Sequence, residues 1–595
     1  MAIKISNTTV INDSRELENI TNLKTIGGES ILGTGDISAG GGGAFTLSSD
    51  TGTLSSSNSG NAADASHNFF AGQFAGNSNS TGTDNVFIGR RAGQLNSSQD
   101  GNVFIGSYAG FSNSGQDNFF VGENAGRNNT GSSNFFFGYS AGSCATGSNN
   151  VHFGYGAGRA PIGGVNSGNA NNFFGSRAGQ CNTTGSNNNF FGSSVGFANT
   201  TGSHNNFFGS SAGRCNTDGN HNNAFGFYAG SELTTGDCNN FIGYFAGRCT
   251  TSGCNNFAAG SNTMYCNLIG SNNVMFGCCA GYFNTGSSNF YAGSRAGCNV
   301  TSGNHNVMIG DAAGSGHTTG VRHNTFIGYQ AGLGLGGGGG DNNIIFGCRA
   351  GYRNTANDNI FQGRSSGCDT TTGSGNIFIG GFSGTSNTTG YCNIFIGAGA
   401  GNTNTTGFHN NFFGRVAGQN STGCYNAFFG AAAGWNNTTG SNNVFIGHNA
   451  GACLAGGPSG LVCITTQSDR IVIGNDDHSC AQIKVAWSVV SDIRDKCVFG
   501  AVPHGRGFLE KINPVEFAFK NRETNELIDP EGKKRYGFSA QEVLEAEGDN
   551  NVIVSNENPD KLQMTSDYLV PILVNAVKDL SAEVNDLKAR IDALE

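Results

Sequence analysis

A short block, N-x-F-[IF]-G, recurs 23 times along the chain, its closing glycine running from Gly72 to Gly447 at a mean step of about 17 residues. The full repeat reads N-x-F-[IF]-G-x-x-A-G-x-x-N-T-T-G-S-N. Apolar and aromatic residues in N-x-F-[IF] suit a short β-strand, whereas the Ala-Gly and Asn-Thr-Thr-Gly pieces carry residues that tolerate positive φ at tight turns. One repeat is therefore one short strand plus turns. Phe87-Ile88, Phe190-Phe191, Phe395-Ile396 and Phe445-Ile446 show two large apolar residues before the closing glycine. Successive strand residues point to opposite faces, so both faces of each strand are expected to be buried. A bundle of identical chains would bury the second face; the alternative is a single-chain β-helix with an aromatic outer surface. At one strand spacing per repeat, the shaft would span roughly 110 Å.

Composition narrows the class further. The 595 residues include 98 Gly and 45 Phe but only 7 Pro, and 12% are charged. Too little Pro and no strict Gly-x-y period exclude collagen, and so many aromatic residues argue against a disordered linker. A net charge of -10 without a basic stripe gives no expectation of nucleic-acid binding. Neither a signal peptide nor a run of about 18 apolar residues is read in the sequence, so no membrane insertion is expected. The 18 Cys include no CxxC pair. Several recur at turn positions, as do Cys181, Cys215, Cys249, Cys238 and Cys254, and they read as reduced, weakly polar filler, with no metal and no cofactor expected. Between residues 130 and 450 the acidic residues are Asp218, Glu232, Asp237, Asp311, Asp341, Asp358 and Asp369. Glycoside hydrolysis normally needs two carboxylates flanking one bond, so a glycosidase is poorly supported there. Longer stretches at 160–170 and 332–340 interrupt the period and read as surface loops.

After Gly456 the glycines thin out and charge returns, marking a domain boundary. Ser468–Gly474 and Ala481–Val490 read as strands leading into Ser491–Lys496, and Lys534–Glu547 as a strand running into a helix with an acidic start. Val570, Leu573, Val577, Leu580, Val584, Leu587, Ile591 and Leu594 form an a/d heptad seam. Its β-branched a positions with Leu at d lean toward two strands.

Ser491-Asp492-Ile493-Arg494-Asp495-Lys496, Asn513–Lys520, Tyr536–Val543 and the terminal helix, taken in order, resemble the endosialidase-type intramolecular chaperone found at the C-termini of bacteriophage tail fibres and tailspikes. More weakly, Val10–Ile37 is similar to the start of phage fibre-like proteins. The repeats resemble phage fibre shafts and, more loosely, heads of trimeric bacterial adhesins. The resemblance implies a homotrimer, overruling the two-stranded lean, and self-cleavage at Val490-Ser491 with Ser491 as nucleophile and Lys496 as base. Asp492 either orients that site or caps a turn.

The reading is a mainly β, solenoid or β-prism-like trimeric shaft with a C-terminal α+β chaperone ending in a coiled-coil helix. Its parts are an attachment segment (1–40), a Gly/Ser-rich joint (41–67), the shaft (68–455), a β neck (456–490) and the chaperone (491–595). The implied role is a virion tail fibre, assembled in the host cytoplasm, bound to tail or baseplate proteins by its N-terminus and adhering to a host-surface glycan or protein. A polysaccharide-degrading tailspike and a cellular adhesin are the alternatives, and the only chemistry expected is single-turnover autoproteolysis.

Overall fold

In the computed structural model the described residues are 67–335, 338–452, 464–475, 491–520, 525–527, 532–556, 559 and 562–595, with four short strands placed ahead of them. Apart from those strands, the attachment segment (1–40) and the joint up to residue 66 lie outside them, as do the strand read at 481–490 and with it Val490. The chain divides into two compact units, Met1–Asn393 and Ile394–Glu595.

The repeats of the first unit form a β-solenoid with one three-residue strand per turn, nineteen such strands from Phe69–Ala71 to Ile377–Ile379. Each strand pairs in parallel, in register, with the strand one repeat away: Phe70 lies opposite Phe87, and Asn189, Phe190 and Phe191 opposite Asn206, Phe207 and Phe208. The second unit carries five more strands of the same kind, Ile394–Ile396 to Ile471–Ile473. Its last rung is longer. Ile471–Ile473, read from the sequence as part of a neck, pairs in parallel with Val444–Ile446.

Within one chain only the middle residue of each strand from Phe69–Ala71 to Val444–Ile446 is interior. Phe87, Phe104, Phe190 and Phe207 are fully buried, while Ile88, Phe137, Phe153 and Phe225 stand on the outer face. The interior rings stack as one column from Phe70 to Phe207, interrupted once by His152, at centroid spacings of 4.6–5.0 Å. That is the strand spacing of a parallel sheet. The expectation that both faces of each strand are buried is thus not met within the chain, which takes the alternative form of a single-chain β-helix with an aromatic outer surface, because a turn of about 17 residues closes around one side chain per strand.

Two asparagine columns line the rest of the interior with the alanines of the Ala-Gly pairs. In the first, the side-chain oxygen of Asn188 accepts the Asn205 backbone N–H at 2.9 Å, and Asn205 Nδ2 donates to the Gly219 carbonyl at 2.8 Å. In the second, Asn199 Nδ2 donates both to Asn182 Oδ1 at 2.7 Å and to the Gly202 carbonyl at 2.9 Å. These amides occupy turn backbone groups that would otherwise be buried without partners, at about 1–3 kcal/mol each. Most of these bonds run to a neighbouring turn, so a turn is satisfied only in a stack.

Glycine follows from the same tightness. At Gly209, φ is +133° and a Cβ would lie 2.4 Å from the carbonyl oxygen of Gly226 in the next turn. Gly196, at φ +53°, would place one 2.4 Å from the Phe190 ring. The solenoid also holds bulky residues at positive φ, among them Phe245 and Val416. Such a conformation costs roughly 1–2 kcal/mol per residue, so an isolated turn is strained and stacking must hold it. The extra residues at 160–170 and 332–340 leave the ladder undisturbed, with Phe153 still opposite Phe174 and Ile327 opposite Phe346.

The C-terminal domain lies in the second unit. Pro514–Phe517 and Arg535–Phe538 form an antiparallel pair, as do Val554–Ser555 and Gln563–Met564. Its helices are α1 (Arg506–Leu509), α2 (Ala540–Glu547) and α3 (Leu569–Asp592). The strand read from Lys534 onward turns into α2 at Ser539, whose side chain caps the Glu542 N–H. Phe508, Ile512, Val543, Ile553, Val554, Leu569 and Ile572 make the core. Among the described residues no helix is long and apolar enough to cross a membrane.

Candidate functional site

Ser491 and Lys496 are brought together by the shortest device available to six residues. Ile493–Asp495 form one 3-10 turn, with the Asp492 carboxylate capping it through the Arg494 N–H at 2.9 Å. The chain thereby doubles back. The Lys496 N–H reaches the Ile493 carbonyl at 3.2 Å, and Lys496 Nζ donates to Ser491 Oγ. Arg494 also grips Asp492 through its guanidinium, Nε to Oδ2 at 3.0 Å. The side-chain and backbone hydrogen bonds from Arg494 hold the Asp492 carboxyl below its ordinary range. Of the two roles considered for Asp492, the geometry supplies the cap. Ser491 and Lys496 are both exposed in the single chain.

The rest of the domain leaves two features open on its surface. First, α3 turns Leu569, Ile572 and Ala576 into the core, but the heptad seam faces water: Val570, Leu573, Val577, Leu580, Val584, Leu587, Ile591 and Leu594 are all exposed. Second, a cavity of about 250 Å3 opens between the segment before α1, the end of α2 and the start of α3. Val502, Pro503, Val552, Ile553, Pro571 and Ile572 line it. Glu547 borders it too, but that carboxylate is buried and accepts the backbone N–H groups of Val552, Ile553 and Val554, the last two at 2.8 and 3.1 Å. It serves as the anchor of the loop after α2.

Sequence reasoning found the Ser491–Lys496 pair and the seam; it missed the cavity, Glu547 and Phe499. Phe499 follows Lys496 by three residues and is 97% exposed. A lone aromatic in a Val-Phe-Gly stretch carries no periodic signal, and a cavity assembled from three distant segments carries none at all.

Residues 491–553 match the family described as chaperone of endosialidase. The segment that holds the Ser491–Lys496 pair is thus similar to endosialidase-type chaperone domains, a family that implies trimeric assembly. A β-solenoid followed by such a domain fits a tail fibre with an endosialidase-type chaperone. Neither a curated protein nor a solved structure matches the chain.

Proposed function

We propose that this protein is a trimeric virion tail fibre that adheres to a host surface, and that residues 491–595 fold it and then cut themselves off at Val490-Ser491. The observation that carries the reading is the Lys496–Ser491 hydrogen bond inside the family-matched segment. In the cleavage step Ser491 Oγ attacks the Val490 carbonyl carbon while its proton passes to neutral Lys496 Nζ. The Val490-Ser491 C–N bond breaks as the Ser491 nitrogen takes a proton, leaving Val490 as an ester on Oγ. Water then hydrolyses the ester, giving a Val490 carboxylate and a Ser491 amine. A lysine can serve as base only where burial or neighbouring cations make the neutral amine accessible. Lys496 is exposed in the lone chain, so on this reading cleavage waits for assembly and reports it.

Trimeric packing of the shaft is supported by the outer face of the ladder. Phe137, Phe153, Phe174, Phe191, Phe208 and Phe225 stack there face to face at 4.7–6.1 Å. Because these faces cover one another, the column presents ring edges, an unsuitable platform for stacking a sugar but a fitting one for another apolar surface. Adhesion rather than glycan cleavage is favoured by the shaft's sparse carboxylates. Glu232, Asp311 and Asp369 each sit 3.6–3.8 Å from an arginine.

Mass measurement of the purified full-length product beside Ser491→Ala tests the proposal. The parent is expected to yield one chain ending at Val490 and a fragment beginning at Ser491, the variant an intact chain. An uncut parent in an assembled trimer would overturn self-cleavage.

A further inference from the structure

We propose that Phe499 of one copy seats in the apolar cavity of a second copy, and that this contact draws the Ser491–Lys496 pair out of water. The inference rests on the trimeric, self-cleaving reading and names the contact that would switch the pair on.

The single chain leaves a donor and an acceptor unsatisfied at once. Phe499 stands 97% exposed, although a Phe side chain ordinarily contributes its area to a core or an interface. The cavity, at about 250 Å3, is smaller than the 300–1,000 Å3 or so of sites for drug-sized ligands and suits one large side chain. Its occupant should be apolar. Val502, Pro503, Val552, Ile553 and Ile572 line it, and the one carboxylate at its border, Glu547, is already taken up by three backbone N–H groups.

Continuity with the helix seam points to a second copy as the source. Tyr568 and Pro571 border the cavity, while the neighbouring Val570 and Leu573 begin the exposed a/d stripe of α3. A partner helix on that stripe would bring its own domain to the rim of the cavity. Each copy then offers one Phe499 and one cavity, a head-to-tail contact that three copies close into a ring.

The link to chemistry is a matter of reach. Three residues of extended chain span about 10 Å, so seating Phe499 holds Lys496 within that distance of the neighbour's surface. Loss of water there disfavours the ammonium and favours the neutral amine that the serine needs.

The first test uses full-length chains carrying Ser491→Ala and the photo-crosslinker benzoylphenylalanine in place of Phe499, co-assembled from light and isotope-heavy stocks. Light-to-heavy cross-links are expected on peptides containing 502–504, 550–553 or 568–572. Cross-links confined to a single chain, or none on these peptides, would overturn the docking. The second test follows cleavage in Phe499→Ala and Phe499→Leu with Ser491 intact. The alanine variant is expected to remain trimeric by native mass and to cut at least tenfold more slowly, with leucine retaining most of the rate. Cleavage of the alanine variant at the parent's rate would overturn the coupling. Should the parent itself stay uncut, self-cleavage fails as a reading, while the cross-link still decides the docking.

Discussion

His152 occupies a phenylalanine position in the interior column, stacked 4.6 Å from Phe136 and 4.8 Å from Phe173. It is fully buried, and neither ring nitrogen has a partner. Burial pulls its pKa from 6.5 down to about 3. Above pH 6.5 both the folded and the unfolded ring are neutral and stability does not change with pH. Below it the unfolded ring takes a proton that the folded one refuses, so stability falls as pH falls toward 3, by about 2 kcal/mol at pH 5. Amide exchange of residues 151–153, corrected for intrinsic rates, should therefore show protection roughly 30-fold weaker at pH 5 than at pH 7.5. His152→Phe should abolish that difference; equal behaviour of the two proteins would refute the assignment. His317, also buried beside an inserted stretch, differs in having a partner: its Nδ1 donates to the Gly338 carbonyl at 3.1 Å. Both histidines stand where the repeat departs from its norm, one in the phenylalanine column and one in an asparagine column.

At the scale of single elements, α3 divides its surface between two tasks. Leu569, Ile572 and Ala576 pack on its own domain, and the heptad stripe stays exposed. Leu580→Asp with Leu587→Asp should thus give a monomer by native mass, leave the helical circular-dichroism signal of the domain in place and prevent cleavage. A trimer surviving both substitutions would show that the stripe is not the seam. The stripe was legible in the sequence as a heptad, because helix geometry converts spacing directly into faces, whereas the core-facing set was not read from it. The solenoid strand was less transparent. Phe87 and Ile88 are equally apolar, and nothing in a three-residue strand says which one turns inward; the neighbouring turns decide it, through Gly93 packed against the Phe87 ring. Likewise the serine and lysine were readable as a motif, but their meeting depends on the 3-10 turn capped by Asp492, a local geometry that composition does not announce. Phe499 and its cavity lay beyond reach, since shape complementarity between distant segments leaves no period.

For the molecule as a whole, stability comes in near-identical increments, as in other arrays where a unit touches only its neighbours. Removing residues 189–205 would join Asn188 to Asn206, reproducing the junction between Asn205 and Asn206, and would keep both asparagine columns and the ring column in step. This shortened chain should fold, assemble and cut as the parent does, as read by native mass and by product masses. A nine-residue deletion, 189–197, should aggregate, since half a turn sets interior positions against outer ones. Equal folding of the two deletions would contradict a register set turn by turn. Because the hydrogen bonds join equivalent residues in successive turns, the chain carries similar stretches of sequence in tandem. Gain or loss of one such stretch would add or subtract a whole turn, the same kind of change as the 189–205 deletion. Length is thus a property that can change in whole turns while residues 491–595 stay as they are.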